Sequence, residues 1–272
     1  MQITPEAFLA THRLFTREEL ARVLMNRGSR SPGTVSSHLA RWRRQHRILK
    51  VKEGVYVRLD PDADPAAQGI DFLALASLLA PDGALAYHTA LEAHGVAQSL
   101  FERLTFVTWT KTRPLRFQGR EFVPVRPREA LRRSRNRNGW IESMDRSGAE
   151  VRVTSLERTV ADAFDRPDLA GGADEVWRSS AGVAALDLGE LESYVRALGS
   201  RTLAAKVGFF LERRAGDLAV PPALLERLRK QAPRSPVYCD RRRKSRFAPR
   251  WNLMVPEAWI TTSESEPRRS SA

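Results

Sequence analysis

Hydrogen-bonding and cationic side chains recur at helical spacing along one stretch near the N-terminus. They are Ser31, Thr34, Ser37, His38, Arg41, Arg44 and Gln45. These side-chain types donate to base edges and to phosphates in the major groove of DNA. No acidic residue occurs from residue 31 through residue 52, so no carboxylate of this stretch would repel a phosphate backbone. The stretch is therefore a candidate DNA-contacting helix, although it would also suit the solvated face of an ordinary amphipathic helix.

Two helices are predicted around a short turn in this region. Thr16 and Glu19 have the spacing of a capping box, and Gly28 is placed to end the helix that follows. Ser31 and Pro32 open the second helix, since proline is tolerated in a first turn. The apolar residues of the second helix recur at i, i+4 and i+7. They are Val35, Leu39 and Trp42, and we expect them to face the core.

The hydrophobic period changes after the second helix. Residues 48–51 and 55–59 read as two short strands, and Gly54 between them can adopt a positive φ, which predicts a β-hairpin. Helix, turn, basic helix and hairpin in this order predict a winged helix-turn-helix. The wing would offer Lys50, Lys52 and Arg58 to backbone phosphates.

Net charge favours a polyanionic partner. The chain has 45 Lys and Arg against 32 Asp and Glu, a net charge of +13. Residues 1–60 contain 12 basic and 5 acidic side chains, so the positive charge is densest at the N-terminus. An arginine-rich composition can also arise without a functional reason, so the charge alone leaves both interpretations open.

The remainder of the chain predicts a larger second domain. A proline- and aspartate-rich break follows residue 60, and the chain then reads as helices at 71–79 and 87–94 and strands between 104 and 153. Helices follow to residue 230: Thr154 with Glu157 and Asp187 with Glu190 predict two capping boxes, and further helices are predicted at 202–214 and 222–230. Strands early and helices late predict a mixed α+β fold, with the winged helix followed by a larger α/β domain that ends in helices. The predicted organisation is a DNA-binding domain at 1–60, a linker at 61–69, the larger domain at 70–260 and a disordered tail at 261–272.

Three segments of the larger domain carry a resemblance to a known family. They are residues 81–91 (PDGALAYHTAL), residues 153–172 (VTSLERTVADAFDRPDLAGG) and residues 250–256 (RWNLMVP). The chain resembles the AbiEi-type antitoxins of type IV, abortive-infection toxin–antitoxin pairs. The resemblance implies a protein that represses its own operon by binding duplex DNA at inverted repeats. It further implies that the C-terminal domain counters a nucleotidyltransferase-type toxin without a stable complex.

The sequence contains no pattern of residues that is typical of an enzyme active site. Gly199-Ser200 lacks the paired aspartates that a nucleotidyltransferase needs after this dipeptide. The remaining candidates are better explained as a linker pair, an exposed helix edge, structural histidines and a turn before a helix. They are Asp62 with Asp64; Asp162 with Asp165 and Asp168; His88 with His94; and Gly171-Gly172. We therefore expect no enzyme activity, no metal and no cofactor. The alternatives are a nuclease or nucleotide-processing enzyme tethered to DNA, and a protein that binds RNA or an acidic partner.

Two further basic clusters could extend a nucleic-acid or partner surface. The denser one contains Arg241, Arg242, Arg243, Lys244 and Arg246. The other spans residues 126–137, and its arginines are equally explained as a loop kept soluble by charge. Both would steepen the salt dependence of nucleic-acid binding if they contacted phosphates.

A single cysteine, Cys239, excludes an intrachain disulfide and a cysteine-built zinc site. The N-terminus lacks the pattern of a secretory signal, and the longest apolar run, residues 72–80, is too short to span a membrane. The sequence thus predicts a cytoplasmic protein that does not interact with membranes.

Overall fold

Helices and three β-sheets make the chain a mixed α+β protein, which confirms the predicted fold class. The computed structural model describes residues 3–26, 28, 32–60, 69–132, 139–146 and 148–261. Ser31, Asp62, Asp64 and residues 262–272 lie outside the described residues, so the predictions that concern them stay predictions.

Helices occur before, between and after the strands of the described chain. They are α1 (Pro5–Thr11), α2 (Arg17–Asn26), α3 (Pro32–Arg44), α4 (Phe72–Leu78), α5 (His88–Ala93), α6 (Glu129–Arg132), α7 (Leu156–Asp165), α8 (Ala173–Ala181), α9 (Leu188–Leu198), α10 (Arg201–Arg213), α11 (Pro222–Lys230) and α12 (Ala258–Thr261). Two short 3-10 helices span Pro167–Leu169 and Pro249–Trp251.

The strands form three separate sheets. They are β1 (Leu14–Thr16), β2 (Ile48–Lys52), β3 (Val55–Arg58), β4 (Ala84–Leu85), β5 (Arg103–Val107), β6 (Leu115–Phe117), β7 (Arg120–Val125), β8 (Ile141–Arg146), β9 (Ala149–Thr154), β10 (Val237–Tyr238), β11 (Ser245–Ala248) and β12 (Leu253–Pro256). The strand orders are β1-β3-β2, β6-β7-β5-β4-β9-β8 and β10-β12-β11.

The chain divides into two compact units. The first comprises residues 1–84, 102–124 and 143–152, and the second comprises residues 85–101, 125–142 and 153–272. The N-terminal sixty residues therefore share the first unit with segments from later in the chain. The domain limits at 60, 69 and 260 stay a prediction.

The N-terminal part of the first unit has the element order expected of a winged helix. Helices α2 and α3 are followed by the antiparallel hairpin of β2 and β3, whose turn contains Gly54 at a φ of +80°. The capping box is present, because Thr16 N–H donates to Glu19 Oε2 at 2.6 Å and Glu19 N–H donates to Thr16 Oγ1 at 3.2 Å. The predicted helices and hairpin are confirmed. Helix α1 and strand β1, which pairs with β3, were not predicted.

One hydrophobic core holds these N-terminal elements together. Val35, Leu39 and Trp42 are buried, as their spacing predicts, and Trp42 is fully enclosed. The Trp42 ring lies edge-on to Phe15 at 6.4 Å, and Phe15 in turn stacks on Tyr56 at 5.6 Å. The core fixes α3 so that its opposite side faces outward.

The start of α7 in the second unit differs from the predicted capping box of Thr154 and Glu157. Ser155 caps the helix and accepts from the Arg158 N–H at 3.3 Å. Thr154 Oγ1 instead shares a buried hydrogen bond of 2.6 Å with Thr159 Oγ1. Glu157 accepts from the Asp187 N–H at 3.0 Å, so its carboxylate serves the next helix rather than its own. The prediction was wrong because two hydroxyls are adjacent and the sequence does not show which one faces the core.

Asp187 confirms its predicted role as the cap of α9. Its Oδ1 accepts from the N–H groups of Gly189 and Glu190, both at 2.9 Å. The reciprocal half of the predicted box is absent, since the Asp187 N–H donates to Glu157 and not to Glu190. The helices predicted at 202–214 and 222–230 are confirmed as α10 and α11.

Replacement of Gly208 by alanine should destabilise the protein. Gly208 lies within α10, where an added methyl group would overlap the ring of Trp251. Trp251 is fully buried and donates from its indole N–H to Glu212 Oε2 at 2.7 Å, so the ring has no room to shift. We expect the free energy of unfolding, measured by urea denaturation, to fall by about 1–3 kcal/mol.

Gly216→Ala is the matched control for this change. A methyl group at Gly216 would meet no atom within 4 Å, so the free energy of unfolding should stay the same or rise slightly. If both variants lost the same stability, overpacking against Trp251 would not be the cause.

Candidate nucleic-acid interface

The outer side of α3 gathers most of the predicted DNA-contacting residues. A shallow depression on the protein surface is lined by Gly33, Thr34, Ser37, His38, Arg41 and Arg44. Ser37, Arg41 and Arg44 are exposed, while Thr34 and His38 are half-buried. Because Val35, Leu39 and Trp42 occupy the inner side of the same helix, the helical period alone brings these five predicted residues together.

Gln45 follows the last residue of α3 and lies elsewhere. It is exposed and borders a second depression, which Arg47, Arg58 and Asp60 also line. The backbone changes direction immediately after it, since His46 has a φ of +52°. Gln45 therefore lines this second depression, whereas Arg44 lines the one on the outer side of α3.

A carboxylate from α1 reaches the basic end of α3, and no local pattern in the sequence indicates this contact. Glu6 Oε1 accepts from Arg41 Nη2 at 2.8 Å and from Trp42 Nε1 at 3.2 Å. Glu6 Oε2 forms an ion pair with Arg47 Nη1 at 2.8 Å. The absence of acids from residues 31–52 therefore does not make this surface free of negative charge.

Burial acts to raise the pKa of Glu6, but the hydrogen bonds from Trp42 and Arg47 and the charges of Arg47 and Arg41 outweigh it, so the pKa is lowered. Burial, together with the charge of Arg41, also lowers the pKa of His38. Arg41 Nη2 lies 3.2 Å from His38 Nδ1. A guanidinium can only donate, so His38 accepts through Nδ1 and is neutral in this arrangement.

The three predicted phosphate contacts of the wing all bind other parts of the first unit. Lys50 pairs with Glu53. Lys52 Nζ donates to the carbonyl oxygen of Leu79 at 2.7 Å, and its burial lowers the pKa of the ammonium group. Arg58 donates to the carbonyl oxygen of Ala10 and lies 3.4 Å from Asp60. By contrast, Arg44 has no hydrogen bond or ion pair with any residue that the structure describes.

The basic cluster at 241–246 is partly neutralised by neighbouring acids in the second unit. Arg243 pairs with Asp174 at 2.6 Å, and Glu257 lies within 3.5 Å of both Lys244 and Arg246. Arg241 and Arg242 are exposed and form no ion pair with a described residue. These two side chains carry the uncompensated charge of the cluster.

The basic cluster at 126–137 is described only in part. Arg128 pairs with Asp165 at 2.5 Å, and Arg132 lies 3.7 Å from Glu129. Residues 133–138 lie outside the described residues, so the prediction for them is untested.

The three aspartates around α7 do not converge on one point. Asp162 is buried and accepts from Arg158 Nε at 3.2 Å and from Tyr194 Oη at 2.6 Å. Asp165 binds Arg128, and Asp168 is exposed in a 3-10 helix. The interpretation of all three as an exposed helix edge was wrong for Asp162 and for Asp165, whose side chain is only 7% exposed, because i, i+3 spacing also allows members of a row to face polar partners inside the unit.

The two histidines have separate structural surroundings. His88 is buried, with Nε2 3.6 Å from Glu175 Oε1 and its ring edge-on to Phe101 at 4.2 Å. Burial outweighs the effect of Glu175 and lowers the pKa of His88. His94 lies 2.8 Å, through Nε2, from the carbonyl oxygen of Thr154 and donates to it.

The glycine pairs and the cysteine also belong to local structure. Gly199 ends α9 at a φ of +63°, and Ser200 caps α10 by accepting from the Leu203 N–H at 3.2 Å. Gly171 and Gly172 both have positive φ and precede α8. Burial raises the pKa of Cys239 to about 12. Within the described ranges, no group of three or more His, Cys, Asp and Glu side chains is arranged to hold a metal ion.

Among the described residues, every helix is too short or too polar to cross a lipid bilayer.

Comparison with known proteins finds a structural likeness. No protein-family model and no curated protein matches the chain. The chain is similar to the crystal structure of the RV2827C protein from Mycobacterium tuberculosis, with a TM-score of 0.58 and 18% identity over 96% of this chain and 93% of that one. A likeness at this identity shows a shared fold over nearly the full length of both chains.

The ion pairs of Glu6 should make stability depend on pH in a specific range. The pKa of Glu6 is lower in the folded chain than its usual 4.5, so its carboxylate stabilises the fold above about pH 4.5 and loses this effect as the pH falls through the lowered pKa. Glu6→Gln should therefore lower the melting temperature at neutral pH, by an amount equivalent to about 1 kcal/mol or less. The difference from the unchanged chain should shrink in thermal melts below pH 4.5.

Glu18→Gln provides the control, because Glu18 is an exposed acid of α2 in the same unit. A pH-independent gap for Glu6→Gln, or an equal gap for Glu18→Gln, would show that the contacts of the Glu6 carboxylate do not stabilise the fold.

Proposed function

We propose that the chain is a sequence-specific, DNA-binding autorepressor that also acts as the antitoxin of a type IV toxin–antitoxin pair. The observation that carries the DNA-binding part is the outer face of α3. Five polar or cationic side chains line one depression there, opposite a buried apolar stripe. A DNA-binding protein needs this arrangement, because the reading side chains must leave the core on a rigid helix.

The dimensions and chemistry of α3 suit the major groove. With its side chains an α-helix is about 10–12 Å across, and the groove is about 12 Å wide. Arginine can donate two hydrogen bonds to guanine, and serine or threonine can bond to several bases. Arg44 is available for such a contact without giving up a partner among the described residues.

Arg41 contributes in a different way from Arg44. Its guanidinium is already held by Glu6 and His38, so binding to DNA exchanges one acceptor for another. Exposed ion pairs are worth about 0–1 kcal/mol, so this exchange costs little. The same argument applies to Lys50, which pairs with the exposed Glu53. Lys52 is the exception, because its ammonium group is partly buried against Leu79.

The antitoxin part of the proposal rests on the family resemblance of residues 81–91, 153–172 and 250–256. Residues 153–172 comprise the end of β9, α7, the 3-10 helix Pro167–Leu169 and the turn before α8, and they include the buried Arg158–Asp162 pair of the second unit. In this proposal the partners are duplex operator DNA with inverted repeats and a nucleotidyltransferase-type toxin. The toxin is countered without a stable complex.

Arg41→Ala/Arg44→Ala should abolish specific operator binding. Each bidentate arginine contact contributes about 1–3 kcal/mol of discrimination, so the double change should weaken binding to the upstream region at least about thirtyfold. Binding to random DNA should weaken less, since the remaining basic residues still contact phosphates. Fluorescence anisotropy at about 0.15 M salt with excess competitor DNA measures both affinities.

Lys111→Ala/Arg113→Ala removes the same charge from an exposed loop and serves as the control. It should leave operator binding nearly unchanged. If the two double variants lost affinity equally, or if random DNA displaced the unchanged chain completely, the binding would be a general charge effect and the repressor proposal would fail.

Repression and toxin neutralisation should be separable. When a neighbouring reading frame that encodes a nucleotidyltransferase is expressed, cell growth should stop, and this chain should restore it. Arg41→Ala/Arg44→Ala should restore growth equally well while losing repression of a reporter under the operator. Failure of the unchanged chain to restore growth would reject the antitoxin part and leave the repressor part standing.

A further inference from the structure

Three large side chains form a row across the small C-terminal sheet. Tyr238 of β10 pairs in register with Met254 of β12, and Phe247 of β11 pairs with the same Met254 from the other side. Residues directly opposite each other in neighbouring strands point to the same face of a sheet. Tyr238, Met254 and Phe247 therefore share one face, which we call the aromatic face.

The aromatic face is open, whereas the reverse face of the sheet is packed. Tyr238 and Phe247 are each 48% exposed, and Met254 between them is half-buried. Leu253 and Val255 flank Met254 and are fully buried, as expected when alternate residues of a strand point to opposite faces. Two aromatic rings at this exposure, about 10 Å apart across two strand spacings, are unusual for a surface that only faces water.

Positive charge surrounds the aromatic face. Residues 237–257 contain six basic and two acidic side chains. Asp174 neutralises Arg243, and Glu257 is shared by Lys244 and Arg246. Arg250 pairs with Glu212 and Glu226. The backbone N–H of Arg242 donates to Asp240 Oδ1 at 2.8 Å, but the guanidinium groups of Arg241 and Arg242, in the loop between β10 and β11, form no ion pair with a described residue. The charge next to the rings thus favours an anionic ligand.

A pocket of about 400 Å³ adjoins the Tyr238 end of the row. Tyr238, Cys239, Arg241, Arg242 and Arg243 supply one side of it. This volume is within the usual range for small-molecule sites, about 300–1,000 Å³. The lining also includes Asp168, Asp174 and Asp240, of which Asp174 pairs with Arg243. The aromatic face and the exposed Arg241 and Arg242 beside it offer both stacking and phosphate contacts.

We propose that the aromatic face and the adjoining loop bind single-stranded nucleic acid. Bases stack on Tyr238 and Phe247, and the backbone phosphates contact Arg241 and Arg242. Exposed rings beside a basic loop are the combination that single-strand-binding surfaces use, because every base has a face that can stack. The bases of a duplex are already stacked on each other, so the two rings cannot stack on the bases of duplex DNA. An apolar protein partner would not account for the two uncompensated arginines.

The test uses the full chain and fluorescent oligonucleotides of about twelve nucleotides, oligo(U) and oligo(dT), because sites of this kind cover about 4–16 nucleotides. Anisotropy titrations should show binding of at least one of them. Tyr238→Ala and Phe247→Ala should each weaken binding at least about fivefold, and Tyr238→Phe should retain it. Arg241→Ala/Arg242→Ala should reduce the slope of log affinity against log salt concentration by about 1.4.

Leu100→Ala is the control for loss of an exposed apolar side chain, since Leu100 is 81% exposed in the same unit. It should bind like the unchanged chain. Tighter binding of oligo(U) or of oligo(dT) supports the proposal and tells which nucleic acid the surface prefers. Thermal melts of each variant show whether it is folded. If Phe247→Ala does not fold, the comparison of oligonucleotide affinity between Tyr238→Phe and Tyr238→Ala tests the proposal.

Two results would overturn the proposal. One is the absence of binding to both oligonucleotides at about 0.1 M salt. The other is binding that survives Tyr238→Ala and Phe247→Ala but is lost in Arg41→Ala/Arg44→Ala, which would assign it to α3. Because the aromatic face and α3 lie in different units, the proposed operator binding stands or falls independently.

Discussion

Burial of the apolar stripe of α3 is the constraint on which the N-terminal part of the structure depends. Trp42 is fully enclosed, lies against Phe15 and donates its indole N–H to Glu6. Its ring is therefore packed and its polar N–H group is hydrogen-bonded. A tryptophan of this size contributes several kcal/mol through burial alone, about 3–5 kcal/mol as judged by its removal from protein cores. Because the inner side of the helix is fixed in this way, its polar residues face outward. The candidate nucleic-acid interface is thus a geometric result of core packing.

The second unit has a polar core instead of a purely apolar one around α7. Arg158 and Asp162 are paired within it, and Tyr194 donates to the same carboxylate. Burial and the negative charge of Asp162 raise the pKa of Tyr194 well above its usual value, so the hydroxyl remains a donor. Losing one member of such a network costs more than the network contributes overall, because it leaves an uncompensated buried charge. Residues 153–172, which carry the family resemblance, contain both members of the ion pair. This segment therefore has a structural role in the second unit that does not depend on any activity.

Features that neighbouring residues specify could be predicted from the sequence, whereas contacts between residues distant in the chain could not. The Thr16–Glu19 box, the buried stripe of α3 and the Gly54 turn are each specified within a few residues, and all are confirmed. Glu6 meets Arg41 across 35 positions, and Asp162 meets Tyr194 across 32, and no periodicity records such pairs. Strands β4 and β10 escaped prediction for a related reason, since each has two residues and exists only through its neighbours. Of the candidate site, the helix face was therefore predictable, while the groups that hold its side chains in place were not.

The hydrogen bond from Lys52 to Leu79 has a consequence for how the first unit can be divided. The acceptor is the carbonyl of Leu79, the C-cap residue directly after α4, where the unsatisfied carbonyls of a helix attract a cation. A fragment that stops at residue 60 retains every residue of the wing but lacks this acceptor. The ammonium group of Lys52 would then be hydrated, fully basic and free to reach a phosphate. The severed fragment would present a more exposed ammonium group at its wing than the same sixty residues within the intact chain, so under the proposed function its affinity for DNA would exceed that of the whole protein.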